Sequence, residues 1–210
     1  MALGTFVIAI AGHSGAGKST VIENLVSRLG NANFLRLDDY ESSSIYPSTM
    51  KWIEEGADPD AFQSAQFVTD ITTLKNGKEI VHPITGKKIN AASYLIIEEP
   101  FGRERSALHD LIDFVVYLDV PLDIAYARKL TRKNEFLPWE DNPDIFISNL
   151  RENLEWYLTI GREFYLAVAC RVRPNCDLIV DGTLPTESIA KKIVTAIYNM
   201  RNDQGNPAKL

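Results

Sequence analysis

The chain is short of cysteine, of long hydrophobic runs and of positive charge, and each shortage removes a class of protein from consideration. Cys170 and Cys176 are the only two cysteines among 210 residues. They are too few for a disulfide framework or a four-ligand zinc site, and read as free thiols in a reducing compartment. No apolar stretch approaches the roughly 18 residues needed to cross a bilayer. The apolar run Leu3 to Ala11 has no Lys or Arg ahead of it, so it reads as a buried strand rather than a secretory signal. Lys and Arg number 22 against 28 Asp and Glu, for a net charge of −6. That field repels nucleic acid and anionic membranes, so any bound anion needs a local site. Glycine (12) and proline (10) are too sparse for collagen-like or low-complexity structure. What remains is an ordinary globular composition, expected to be cytoplasmic, with no membrane or nucleic-acid partner.

What is present is an alternation. Short apolar runs at Phe6 to Ala11, Phe34 to Leu37, Tyr94 to Ile97, Phe114 to Leu118 and Leu178 to Val180 lack polar alternation, as strands buried on both faces do. Helical stripes lie between them. Val21, Ile22, Leu25, Val26 and Leu29 run up to Gly30; Ala107, Leu108, Leu111 and Ile112 make a shorter stripe; Ile189, Ile193, Val194 and Ile197 mark a last helix, with Pro185 suited to its first turn. Strand and helix in turn predict a five-stranded parallel sheet covered by helices on both faces.

Two stretches interrupt the pattern. Residues 40–92 hold a helical stripe (Phe62, Ala65, Val68, Ile71, Leu74) and a hairpin signal around Thr85-Gly86-Lys87-Lys88, and are expected to form a substrate flap. Residues 126–143, basic at Arg128, Lys129, Arg132 and Lys133, are expected to form a helical lid. Residues 1–201 make one domain on this reading, and 202–210 a flexible tail.

Between the first strand and its helix, Gly12-His13-Ser14-Gly15-Ala16-Gly17-Lys18-Ser19, followed by Thr20, fits G-x-x-x-x-G-K-[ST]. The glycines let backbone N–H groups curl around phosphate oxygens, and the helix adds its positive end. Lys18 supplies a point charge near the β and γ phosphates, and Ser19 a hydroxyl for Mg²⁺. The fold is thus expected to be an α/β P-loop NTPase binding ATP with Mg²⁺. Ligands of such sheets lie beyond the carboxyl ends of the strands, where Asp38-Asp39 and Glu98-Glu99 stand. One acid there can serve the metal, and another can accept a proton from an attacking hydroxyl. Adjacent side chains on an extended chain point apart, so one of each pair is expected at the site, with Asp38 and Glu98 preferred.

Over most of residues 5–200 the chain resembles the uridine/cytidine kinase branch of the P-loop kinases, a group that includes phosphoribulokinase, pantothenate kinase and nicotinamide riboside kinase. Asp38-Asp39-Tyr40 is similar to the family's Asp-x-aromatic-aromatic segment, Pro59-Asp60-Ala61-Phe62 to its Pro-Asp-Ala-Phe, and Ile96-Ile97-Glu98 to its strand ending in the metal-site Glu. Arg128-Lys129-Leu130-Thr131-Arg132 resembles the lid's Arg-Arg-x-x-Arg, and Cys176 to Val180 the strand before the adenine contacts. The resemblance implies a phosphotransferase with Asp38 as base, Lys18, Arg128 and Arg132 on the transferring group, and Ser19 and Glu98 at Mg²⁺. It implies a small-molecule phosphoacceptor, most of all a nucleoside or riboside, held by Asp38, Tyr40, Asp58, His82 and Thr85; Arg103, beside the cleft, is a further candidate, with surface ion pairing as its competing role. A homo-oligomer is compatible with it.

The departures concern the acceptor. Ala57 stands where the family has a ribose-binding Asp, with Asp58 one place later and equally suited to cap a helix at Pro59. Thr85 replaces an aromatic, and Glu99 a glycine. Phosphoryl transfer is therefore expected to be retained and pyrimidine recognition altered. The rivals are a kinase of pantothenate or a sugar phosphate, and a regulatory nucleotide-binding protein without kinase activity.

Overall fold

Every residue of β1 (Phe6–Ala11) is buried. Successive side chains of a strand point to opposite faces, and here both faces are covered. Val7, Ala9 and Ala11 join one apolar cluster, while Phe6, Ile8 and Ile10 join another. The computed structural model describes residues 4–131 and 142–204. After β1 come α1 (Lys18–Leu29), β2 (Ala32–Arg36), α2 (Thr49–Glu54), α3 (Ala65–Lys75), β3 (Ile80–Val81) and β4 (Lys88–Ile89). They are followed by β5 (Tyr94–Glu98), α4 (Ser106–His109), β6 (Phe114–Asp119) and α5 (Leu122–Leu130). The chain continues with α6 (Pro143–Trp156), α7 (Arg162–Val172), β7 (Leu178–Asp181) and α8 (Thr186–Gln204).

The main sheet is parallel, in the order β2-β5-β1-β6-β7. β1 thus lies at its centre, where the chain's path reverses direction across the sheet, and the crevice beyond its carboxyl end is the place for a ligand. On one face α1 and α8 cover Ile8, Ile10, Ile96, Val116 and Leu118 with Ile22, Leu25, Ile193 and Ile197. On the other, Leu95, Ile97, Val115 and Tyr117 meet Trp52, Phe67, Ile71, Val168 and Val172 from α2, α3 and α7.

Several boundaries differ from the pattern reading. β2 occupies 32–36 rather than 34–37, because Leu37 opens a 3₁₀ turn (Leu37–Ser43) with Asp38 and Asp39 in its first turn. The segment 40–92 is that turn, two helices and a β3–β4 hairpin; α2 had no visible stripe, and Phe62 precedes α3 instead of lying on it. The buried face of α3 carries Phe67, Asp70, Ile71 and Leu74. The stripe from Ala107 to Ile112 yields only the four-residue α4, and α8 runs through Gln204, into the expected tail. Residues 205–210, Arg132 and most of the expected lid lie outside the described residues. No described helix is long and apolar enough to cross a membrane.

Candidate active site

The phosphate loop occupies the turn from β1 into α1, and its backbone takes conformations that side chains disfavour. Gly12, Gly15 and Gly17 have φ of 138°, 84° and 92°. At Gly15 the constraint is also spatial, since a Cβ would stand 1.9 Å from the carbonyl oxygen of Ala125 in α5. Lys18, the first residue of α1, turns back over the loop. Its Nζ donates to the carbonyl oxygens of Gly12 and His13, each at 3.0 Å, and lies 3.5 Å from Glu98 Oε1.

Glu98 ends β5, alongside Ile10 of β1 in the register. Ser19 Oγ donates to Glu98 Oε2 at 3.2 Å. A hydroxyl and a carboxylate held together beside a phosphate loop are the hard oxygen donors that suit Mg²⁺, and the loop with Lys18 suits a nucleotide's phosphates. Glu99 points the other way. It is fully buried, is paired through Oε2 with Arg105 Nη2, and accepts from Phe101 N at 3.1 Å. Of the two neighbouring acids, then, Glu98 faces the loop.

Asp38 stands across the same crevice. It is exposed along one edge, yet desolvation by the surrounding cleft pushes its carboxyl pKa up, and the nearby Glu98 charge adds to this, against Lys18 pulling it down. A cavity of about 300 Å³ joins Asp38, Glu98, Lys18 and Ser19. Its remaining wall includes His13 of the loop, Pro100, and Phe164, Tyr165 and Val168 of α7.

A second cavity, of about 210 Å³, lies on the other side of the loop, between Ala16, Gly17 and Thr20 and the residues after β7, Gly182 to Ile189. Arg128 is here, its Nη1 donating to the Gly182 carbonyl oxygen at 3.1 Å, and not over the Asp38 cavity. Arg132 lies outside the described residues.

The other candidates do not line the Asp38 cavity. Tyr40 is a core residue: its hydroxyl donates to Asp70 Oδ2 at 2.9 Å, and its ring packs on Phe67. The carboxylate of Asp58 is a cap that accepts from Asp60 N at 3.0 Å at the start of the turn Pro59–Ala61. His82 Nδ1 accepts from the N–H groups of Ile84 and Thr85, both at 3.3 Å, and its Nε2 lies 3.4 Å from Asp39 Oδ2. Thr85 is exposed in the hairpin turn, its hydroxyl oxygen accepting from Lys87 N. Arg103 pairs with Asp177 at 2.7 Å and donates to the carbonyl oxygens of Ile112 and Asp113, a structural tie between the chain after β5 and the starts of β6 and β7.

Pattern reading passed over the α7 wall. Its only trace in the sequence is Phe164, Tyr165 and Val168 at positions that share a helix face. The side chain of His13 was passed over as well. Its ring sits against Tyr117 and Tyr165, with centroids at 6.1 and 5.6 Å, and burial first, then the charge of Lys18, lowers its pKa to about 4.

Comparison with known proteins identifies relatives in sequence and in fold. Residues 7–135 match the model of the phosphoribulokinase / uridine kinase family. A uridine kinase of Staphylococcus aureus (strain JH9) is 30% identical over 141 residues, covering 61% of this chain and 68% of that protein. Two solved structures share the fold: a gluconokinase from Sinorhizobium meliloti 1021 (TM-score 0.52, 16% identity, 95% of each chain) and a sugar kinase from Janibacter sp. HTCC2649 (TM-score 0.51, 18% identity, 92% and 94%). Sequence likeness over more than half of the chain therefore meets a site built for phosphates, and the protein is a phosphotransferase that belongs to the phosphoribulokinase / uridine kinase family.

Proposed function

We propose that the protein transfers the γ-phosphoryl group of ATP to a primary hydroxyl of a nucleoside or riboside. The observation that supports this best is the meeting of Lys18, Ser19, Glu98 and Asp38 at one cavity with an aromatic wall. The 30% identity to a uridine kinase favours the acceptor class.

Asp38 accepts the proton of the attacking hydroxyl, a task helped by a carboxyl pKa above its ordinary value. Lys18 exchanges the carbonyl oxygens of Gly12 and His13 for phosphate oxygens, and the loop N–H groups fix the chain of phosphates. Ser19 and Glu98 are the residues that would hold Mg²⁺, which would supply positive charge to the phosphates. Arg128, with Arg132 four residues on, is assigned to the transferring group, for which Arg128 gives up its bond to Gly182. Phe164, Tyr165 and Val168 exclude water from the acceptor side.

The test is ADP release with Mg-ATP across uridine, cytidine, nicotinamide riboside, pantothenate and gluconate, with the product identified by mass. A phosphorylated nucleoside is the expected result. Asp38→Asn should lower kcat by about 10²–10⁴-fold with an unchanged circular dichroism spectrum; unchanged turnover removes Asp38 as the base. Nucleotide binding with no product from any acceptor favours a regulatory module instead.

A further inference from the structure

His13 differs from the rest of the phosphate loop in having two separate contacts with the site. Its backbone carbonyl oxygen serves the nucleotide side, accepting from Lys18 Nζ at 3.0 Å and Ala16 N at 3.1 Å. Its ring belongs to the other side, packed between Tyr117 and Tyr165 at the cavity that Asp38 opens onto. Nε2 lies 3.3 Å from the Tyr117 hydroxyl. Among the described residues Nδ1 has no hydrogen-bond partner, although the residue as a whole is only 7% exposed. The atom is not sealed from solvent, so a group that enters the cavity lined by the ring can bond to it.

The charges around that cavity limit what the partner can be. Lys18 is its only cationic side chain among the described residues, and the nucleotide phosphates claim it; Asp38 and Glu98 are both acids. Arg103 and Arg105 are committed to Asp177 and Glu99, and Arg128, which lies at the second cavity beside Gly182, is assigned to the transferring phosphoryl group. A carboxylate or phosphate on the acceptor would be desolvated next to two acids, with no cation among the described residues left to pair with it. A hydroxylated molecule with a flat face meets the opposite conditions: hydrogen-bonding groups near Asp38 and His13, and Phe164 and Tyr165 to lie against.

We infer that the His13 side chain is part of the phosphoacceptor site, where Nδ1 holds a hydroxyl of an acceptor that carries no negative charge and stacks against the α7 aromatics. This deepens the reading of Asp38 as base and rests on it. A pKa lowered to about 4 keeps the ring neutral near pH 7, which suits a hydroxyl and not a phosphate.

The experiment uses the full chain with Mg-ATP and with uridine as the acceptor probe. His13→Ala should raise KM for uridine about 3- to 10-fold while KM for Mg-ATP moves less than about twofold. His13→Asn, whose amide can reach the position of Nδ1, should recover part of the loss. A loop that is merely distorted would raise both KM values together, and that result overturns the assignment. Uridine should exceed pantothenate and gluconate in kcat/KM by about 100-fold or more, as an unpaired buried charge requires; a preference for either anion overturns the charge argument. The third readout does not need turnover. In protein with ¹⁵N-labelled histidine and Mg-ADP bound, uridine should move the His13 ring resonances, identified among the three histidines by their loss in His13→Asn. If uridine moves them but is not phosphorylated, the acceptor-site inference stands and the proposed nucleoside kinase reading falls. If Mg-ADP alone moves them and none of uridine, cytidine and ribose adds a change, the side chain belongs to the nucleotide and the inference fails.

Discussion

At the scale of single residues, neighbours in sequence have opposite assignments. Glu98 faces Ser19 and Lys18 while Glu99 is sealed against Arg105, and Asp38 opens onto the cavity while Asp39 lies beside His82. Strand alternation explains this only for Glu98; Asp38 and Asp39 diverge because they sit in the tight 3₁₀ turn Leu37–Ser43, with about three residues per turn. That one acid of each pair would be available is legible before folding. The environment that tunes each group is not. His13 is an example, since a residue read only as part of the phosphate loop becomes a buried ring with a pKa near 4, against 6.5 in the unfolded chain. A base whose folded pKa is depressed binds protons more readily when unfolded, so its contribution to stability is present above pH 6.5 and is lost as pH falls toward 4. The loss from His13 is up to about 3 kcal/mol. Asp38, with its raised pKa, acts in the opposite sense, so the measurement has to be differential. Urea midpoints of wild type and His13→Gln should therefore converge or cross between pH 7 and pH 4.5, the wild type losing more stability. Parallel lines across that range would mean that the ring is not held neutral.

At the scale of elements, the segment 40–92 is tied to the end of β5 by a buried guanidinium. Arg105 pairs with Glu99 at the end of β5 and donates to the Phe62 carbonyl oxygen at 2.9 Å and to Ser64 Oγ at 3.3 Å. The Ser44 hydroxyl, 3.0 Å from Ser64 Oγ, donates to the carbonyl oxygen of Tyr40 at 2.8 Å, two residues from Asp38. The same link thus joins the strand carrying Glu98 to the turn carrying Asp38. Removing one partner of a buried pair leaves the other charged and alone, at a cost of about 3–5 kcal/mol. Arg105→Met should therefore destabilise the fold by that order, and amide exchange should rise first over residues 37–64. Glu99→Gln in the same chain should recover part of the loss; no recovery would mean that the guanidinium acts by packing alone. This connection is invisible in the sequence, because Arg105 lies 41 residues from Ser64 and nothing local marks the two as partners. The hairpin, by contrast, was legible at Thr85-Gly86, where Gly86 takes φ of 66°, as a turn needs.

At the scale of the whole molecule, the strand order brings the phosphate loop, Asp38 and Glu98 to one edge of the sheet. A nucleotide there binds only the folded chain, so it should stabilise the protein by about 2.7 kcal/mol at 100 times its Kd. Thermal unfolding with ADP should show a rise in Tm that is larger with Mg²⁺ present and is lost in Lys18→Ala. A rise that ignores both the metal and Lys18 would place the nucleotide elsewhere. The sequence by itself determined the alternation of strands and helices, the phosphate loop and the strand-end acids, because these depend on short-range periodicity, glycine backbone freedom and the two-residue repeat of a strand. Only the tertiary structure decided that Tyr40, Asp58, His82, Thr85 and Arg103 stand apart from the cavity, and that α7 supplies its wall. Those assignments depend on which distant segments meet over the sheet, and the energy that selects the meeting is spread across the core, not written at any one position.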